Sequence, residues 1–202
     1  MNIKLTRSEL KKVMNPMEVY GIMQRILLRE SRVDRTREHF WVISLNTAHK
    51  ILNIELVSMG SINKTIAEPM EVFSIPLQKR ATGIILVHNH PSGSLIPSAA
   101  DKDLTDLFIQ CGRMLHVNVV DHFIISTKAF YSFAQAGLLE ELGESLKYVP
   151  QFKIKEKIQK EGQAGEERKA RSMAKAMKEK GYKTAEIAEL TGLTKQVISR
   201  LK

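Results

Sequence analysis

The chain has 202 residues, of which 43% are hydrophobic and 26% charged, so it is long enough for one domain of ordinary size and a small additional module. No apolar run approaches the length of a membrane span, and the N-terminus lacks the apolar core of a signal peptide, which predicts a soluble, cytoplasmic protein. The single cysteine, Cys111, excludes an internal disulfide and any cysteine-rich zinc module.

The positive charge is concentrated at the C-terminal end. The formal net charge is +9, and residues 151–202 contain 14 Lys and Arg against 7 Asp and Glu, a net charge of +7, which leaves +2 for residues 1–150. This asymmetry predicts a nearly neutral catalytic or binding domain followed by a segment that contacts a polyanion.

Hydrophobic periodicity predicts helices alternating with strands over the first two thirds of the chain. In chain order the predicted elements are a helix from Asn15-Pro16 onwards, strands 40–45 and 51–57 joined by a turn, a loop at 60–63, a helix from Glu68-Pro69 towards Arg80, a strand 83–87, a helix from Pro97-Ser98 to about Met114, a strand 117–125 and a closing segment 131–139. This order predicts an α/β fold, a mixed β-sheet with helices on both faces.

The composition changes after residue 140. The chain becomes polar and rich in lysine there, and Gly162 and Gly165 are expected to interrupt helical structure. We therefore predict a first domain at 1–140, a polar basic linker at 141–165 and a small all-α module at 166–202.

The last module has the pattern of a helix-turn-helix. A helix at 166–180 ends before Gly181, and two short helices at 184–190 and 194–201, each capped by a threonine, are joined at Gly192. The apolar residues predicted to hold them together are Ile187, Leu190, Leu193, Val197, Ile198 and Leu201. The polar residues left free on the second helix, as reading of a DNA major groove requires, are Lys195, Gln196, Ser199 and Arg200. A small helical module that binds protein remains the alternative.

The most informative stretch follows the strand 83–87. His88 and His90 lie two residues apart at the end of this strand, so both side chains point to the same face. Ser98 and Asp101 follow at the start of the next helix. Each pair alone also has an ordinary structural interpretation, because Ser98 and Asp101 form an N-capping pattern and two histidines at a strand end can be core residues. Together they predict a divalent-metal site, with two imidazoles and one carboxylate as ligands.

Three such ligands suit zinc and leave its fourth tetrahedral position for water. Zinc lowers the pKa of its bound water to about 7, and a nearby carboxylate takes the proton as the hydroxide attacks a carbonyl.

These residues resemble a known family. His88-x-His90-Pro91 followed by Ser98-x-x-Asp101 looks like the JAMM motif of the JAB/MPN metalloprotease fold, an α/β fold similar to that of cytidine deaminases. The strings His88-Asn-His-Pro-Ser-Gly93 and Asp121-His122-Phe-Ile-Ile125 are similar to its RadC branch, long labelled a DNA repair protein. The proteins of that branch carry a helix-hairpin-helix region before the JAB domain, whereas here a basic helix-turn-helix follows it.

The resemblance implies a role for each residue of the motif. His88, His90 and Asp101 become the ligands of one catalytic Zn²⁺, and Ser98 becomes the hydroxyl that stabilises the oxyanion. The motif also contains an upstream glutamate that activates the water, for which Glu38 is preferred and Glu71 is the competitor. The resemblance gives Asp121 and His122 no ligand role, so structural hydrogen bonds are expected for them.

Three functions follow as hypotheses. The first is a zinc-dependent hydrolase of JAMM type that cleaves a peptide or isopeptide bond in a protein substrate. The second is a DNA-binding or DNA-repair-associated protein that uses its C-terminal module, with the JAB domain as a scaffold or acting on nucleic acid. The third, a zinc deaminase, is disfavoured because the chain lacks the Cys-x-x-Cys ligand pair of those enzymes.

Overall fold

The structure, a computed structural model, describes residues 15–60, 67–179 and 181–201, so that only Gly60 of the predicted loop at 60–63 is among them. The chain divides into two compact units, residues 1–148 and 149–202. Within the described ranges, no helix has both the length and the apolar character that crossing a membrane requires.

The first unit contains a five-stranded sheet and four α-helices among its described residues. The helices are α1 (Pro16–Arg29), α2 (Pro69–Gln78), α3 (Ala99–Leu115) and α4 (Leu138–Gly143), with a 3₁₀ turn at Asp34–Thr36. The strands are β1 (His39–Leu45), β2 (Ile51–Met59), β3 (Gly83–Asn89), β4 (Asn118–Ile125) and β5 (Phe130–Ser132). The predicted helices and strands of this unit are therefore present, with boundaries close to those expected.

The sheet is mixed, as predicted. Its strand order is β2-β1-β3-β4-β5, in which β3 and β4 run parallel and the other neighbours run antiparallel. The parallel connection from β3 to β4 is made through α3, which places the start of α3 beyond the end of β3. All seven residues of the central strand β3 are buried.

Helices cover both faces of the sheet, and alternate strand residues pack on opposite sides. On one face α1 packs against an odd-numbered set of strand residues, Trp41, Ile43, Leu45, Ile85, Val87, Phe123 and Ile125. On the other face α2 and α3 pack against an even-numbered set, Phe40, Val42, Ile84 and Leu86. His88 belongs by position to the even-numbered face, under α3.

The second unit differs from the prediction at its start. Helix α5 (Gln151–Glu179) is continuous across Gly162 and Gly165, so much of the segment predicted as a linker is helical, and the first unit ends at Tyr148 rather than at residue 140. Each glycine costs a helix only about 1 kcal/mol relative to alanine. The many Lys, Glu, Gln and Ala residues around them are good helix formers and offset that cost.

Two short helices, α6 (Thr184–Thr191) and α7 (Lys195–Arg200), follow α5. Ala174, Ile187 and Ile198 form the buried centre of this unit, whereas Leu190, expected in that centre, is 65% exposed. Gly192 has the left-handed conformation that ends α6. Thr194 caps α7 by accepting from the Val197 N–H, but the predicted cap Thr184 is the first residue inside α6.

One glycine provides a sharp test of the packing around α3. A methyl group at Gly112 would overlap the carbonyl oxygen of Val117. Val117 is held at this distance because its N–H donates to the Gly112 carbonyl, where α3 ends. We therefore expect Gly112→Ala to lower the free energy of unfolding by about 1–3 kcal/mol, since overpacking displaces the backbone. Urea unfolding measures this.

The matched control is Gly21→Ala in α1, where the nearest atom to the added methyl group is a guanidinium nitrogen of Arg25 at 3.9 Å. It should raise stability by about 0.5–1 kcal/mol, because alanine favours helix. Equal effects of the two substitutions would contradict the packing described here.

Candidate metal centre

The histidines of the motif lie where β3 ends. His88 is the penultimate residue of β3 and 1% exposed, and His90 directly follows the strand. Their Nε2 atoms face each other at 3.0 Å. The chain turns back immediately afterwards, as the Gly93 N–H donates to the His90 carbonyl and Gly93 has a φ of 75°. This turn leads from the strand towards α3.

Asp101 completes the cluster from the first turn of α3. Its Oδ1 lies 3.3 Å from His88 Nε2 and its Oδ2 lies 3.4 Å from His90 Nε2. Ligands held 2.0–2.1 Å from a tetrahedral zinc ion are about 3.3–3.4 Å apart, so these separations fit a shared ion. The donor set of His88, His90 and Asp101, all within 4.8 Å of one another, could hold a metal ion.

The charges in the cluster also favour a cation. Burial by itself raises the pKa of the Asp101 carboxyl, but in the absence of metal, hydrogen bonds from rings of His88 and His90 that carry a proton on Nε2 outweigh this and hold that pKa far below its usual range. The hydrogen bond with Asp101 correspondingly raises the pKa of His90. Asp101 is therefore a carboxylate at neutral pH, as a metal ligand must be.

Ser98 holds Asp101 in place. The Ser98 N–H and hydroxyl both donate to Asp101 Oδ2 at 2.7 Å, and the Asp101 N–H donates to the Ser98 hydroxyl oxygen at 3.1 Å. This is a capping box, which is the structural interpretation that the sequence also allowed. The same contacts orient the carboxylate towards the histidines, so the cap and the cluster are built from one set of residues.

The three residues of the cluster line a cleft of about 690 Å³. Among the described residues, the acids that line this cleft are Glu38, Glu68 and Asp101, and Glu71 is exposed on α2 outside it. Apolar side chains also line the cleft, among them Phe40, Ile96, Leu104 and Leu107. Of the two glutamates considered from the sequence, Glu38 lines the cleft that holds the cluster and Glu71 does not.

Asn89 fixes the backbone on both sides of Glu38. Its Oδ1 accepts from the His39 N–H at 2.8 Å, and its Nδ2 donates to the Arg37 carbonyl at 3.0 Å. The Glu38 carbonyl accepts from the Gly60 N–H at 2.9 Å. These side-chain hydrogen bonds of Asn89 secure the segment that carries the glutamate.

Behind the cluster, His88 Nδ1 lies 2.8 Å from His122 Nε2. Burial lowers the pKa of the His122 imidazole well below its ordinary value. Asp121 faces other partners, since it accepts from the Ser132 hydroxyl and from the His122 and Ala134 N–H groups, and burial raises the pKa of its carboxyl. Both residues make structural hydrogen bonds, as predicted. The contact of His122 with His88 was not predicted, because it depends on the pairing of β3 with β4.

The residues predicted to contact DNA lie elsewhere. Lys195, Gln196, Ser199 and Arg200 are all exposed on α7 in the second unit.

The mixed sheet, its helices and the histidine and aspartate cluster define a JAB domain. A sequence model of the RadC-like JAB domain matches residues 13–138, and the chain belongs to this family.

Its relatives include proteins named "UPF0758 protein", a name that states no activity. One from Pelodictyon phaeoclathratiforme is 44% identical over 106 residues, 52% of this chain and 48% of the relative. One from Chlorobium chlorochromatii is 37% identical over 135 residues, 66% of this chain and 58% of the relative. One from Moorella thermoacetica is 42% identical over 127 residues, 63% of this chain and 53% of the relative. The matched regions therefore span about half the length of these relatives.

The role of Asn89 can be tested by Asn89→Asp. Aspartate keeps the acceptor for the His39 N–H but replaces the donor to the Arg37 carbonyl by a second oxygen, which leaves a buried carboxylate facing a carbonyl. We expect the free energy of unfolding to fall by about 1–3 kcal/mol, measured by urea unfolding.

Asn46→Asp is the control, because the Asn46 side-chain oxygen accepts from the Ala48 and Lys50 N–H groups and aspartate preserves both bonds. A similar loss of stability in both variants would contradict the role of the Asn89 amide.

Proposed function

We propose that the protein is a zinc-dependent hydrolase of JAMM type that cleaves peptide or isopeptide bonds. The observation that carries this proposal is the convergence of His88, His90 and Asp101 with Glu38 in one open cleft. Membership of the JAB superfamily, which includes metalloproteases, supports it.

In this proposal His88 and His90 bind one zinc ion through Nε2 and Asp101 binds it through its carboxylate. When bound, zinc supplies a Lewis acid and lowers the pKa of a water molecule to about 7. The His90 Nδ1–H donates to the Ser94 carbonyl at 2.9 Å, which leaves the lone pair of His90 Nε2 facing the cluster.

Glu38 acts as the general base and then as the general acid. It takes a proton from the water that adds to the scissile carbonyl, and it gives this proton to the amine as the C–N bond breaks. Asn89 and Gly60 fix the backbone at Glu38, which lines the cleft that holds the cluster.

Ser98 has a second role in this proposal. Its hydroxyl, which donates to Asp101 Oδ2 in the structure, turns to donate to the oxyanion that develops on the substrate. The main-chain N–H of Ser98 continues to hold Asp101 while the hydroxyl turns.

Glu38→Gln provides the decisive test. This variant should bind one zinc ion per chain, as the unsubstituted protein does, but should lose about 10²–10⁴-fold in the rate of hydrolysis, because the glutamine cannot carry the proton. Zinc content is measured by mass spectrometry, and turnover is measured on fluorogenic libraries of linear peptides and of lysine-branched isopeptides.

Two further variants define the controls. Asp101→Ala should lose both zinc and activity, whereas Glu71→Gln should retain both. A protein with stoichiometric zinc and no hydrolysis of either library, or loss of activity in Glu71→Gln and not in Glu38→Gln, would contradict the proposal.

DNA binding by the second unit is a further candidate function. The observation that favours it is the exposure of Lys195, Gln196 and Arg200 on α7, in a unit whose buried apolar residues pack around Ala174. A hydrolase that acts on DNA-bound proteins would use both functions. A protein partner for the same helix is the alternative.

The double substitution Lys195→Glu with Arg200→Glu in the full-length chain should weaken binding to duplex DNA. If both side chains neutralise phosphates, the slope of log K against log salt should decrease in magnitude by about 2, measured by fluorescence anisotropy.

Lys79→Glu with Lys128→Glu makes the same change of net charge on exposed residues of the first unit. An equal effect of the two double variants, or no DNA binding by the unsubstituted protein, would contradict this candidate.

A further inference from the structure

A line of buried hydrogen bonds connects two of the three residues in the cluster. His88 Nδ1 lies 2.8 Å from His122 Nε2, and His122 Nδ1 lies 2.7 Å from the Thr105 hydroxyl. That hydroxyl lies 2.5 Å from the main-chain carbonyl of Asp101, one turn earlier in α3. His122 and Thr105 are fully buried.

The direction of these bonds is set at the Asp101 end. A carbonyl can only accept, so the Thr105 hydroxyl donates to it and therefore accepts from His122 Nδ1–H. His122 Nε2 then carries a lone pair in the neutral ring. The surroundings favour the neutral ring, because His122 stacks on Phe133 with centroids 4.6 Å apart and meets the edge of Phe40 at 5.9 Å.

The last bond decides which nitrogen of His88 is protonated. Since His122 Nε2 accepts, His88 Nδ1 carries a proton, so in the neutral His88 ring that a metal ion requires, the lone pair lies on Nε2, which faces His90 and Asp101. A bond in the opposite sense would protonate His88 Nε2 and prevent it from binding a metal ion.

We propose that Thr105 and His122 are positioning residues that fix His88 in the tautomer needed to bind metal. They form a hydrogen-bond relay that starts at the Asp101 carbonyl, which can only accept, and ends at His88. The inference rests on the proposed metal site. Asp101 then has two roles at the start of α3: its side chain is a metal ligand, and its main-chain carbonyl orients His88, another ligand. His90 is oriented differently, directly by the Ser94 carbonyl.

The competing explanation is that these groups only satisfy one another in the core. Removal of the Thr105 hydroxyl would then change stability but not metal affinity. Thr105→Val keeps the shape of the side chain and removes the hydroxyl, whereas Thr105→Ser keeps the hydroxyl, so the pair isolates the hydrogen bond.

Urea unfolding first establishes that each metal-free variant is folded. The zinc affinity of the full chain is then measured in the absence of urea, by competition with a chromogenic chelator. Thr105→Val should bind zinc about 10–100-fold more weakly than the unsubstituted protein, a typical effect of losing a partner of a metal-bound histidine. Thr105→Ser should restore the affinity. A folded Thr105→Val variant with unchanged zinc affinity would overturn the inference and leave the proposed hydrolase intact.

Nitrogen NMR of the imidazole rings in the unsubstituted protein tests the relay without any substitution. The metal-free protein should show His122 protonated at Nδ1 and not at Nε2. Protonation at Nε2 would overturn the relay even if Thr105→Val does not fold. Absence of zinc binding by the unsubstituted protein would instead refute the proposed function. The NMR result for His122 comes from the metal-free protein and does not depend on zinc binding.

Discussion

The antiparallel pairing of β1 with β3 is the constraint on which the candidate site depends. In this pairing Phe40 lies opposite His88, and the alternation of side chains gives the even-numbered residues of both strands one face. Glu38, just before β1, and His90, just after β3, therefore extend the same face beyond the ends of the strands. A shift of the register by one residue would turn Glu38 towards α1 and away from the histidines. Asn89 reinforces the register at this end, where its side chain replaces ladder hydrogen bonds on both sides of Glu38.

The start of α3 combines the requirements of folding with those of chemistry. Ser98 and Asp101 satisfy each other's amide groups at the start of α3, and the same contacts aim the Asp101 carboxylate at His88 and His90. This explains why neither interpretation of the pair excludes the other. Substitution of Ser98 therefore affects helix stability and the orientation of a ligand together, so a change in activity alone does not isolate its role towards substrate.

The features predicted correctly from the sequence are those that local patterns encode. The two histidines at the end of a strand, the cap at Ser98 and the mixed sheet all follow from spacing and periodicity. The partners of His88 could not be predicted, because His122 reaches it only through the pairing of β3 with β4, whose register shifts between Ile84 and Ile85. Thr105 follows Asp101 by one helical turn, but its contact with His122 depends on the same pairing. The break expected at Gly162 and Gly165 was wrong because two glycines do not outweigh the strong helix formers around them.

The most direct test of the account is a crystal structure of the full chain grown with zinc, with anomalous diffraction recorded on both sides of the zinc absorption edge. The account predicts one strong zinc peak bound by Nε2 of His88, Nε2 of His90 and the carboxylate of Asp101, with the Glu38 carboxylate facing the open side of the ion. A protein that binds zinc elsewhere, or that places the Nδ1 atom of His88 on the metal, would contradict it.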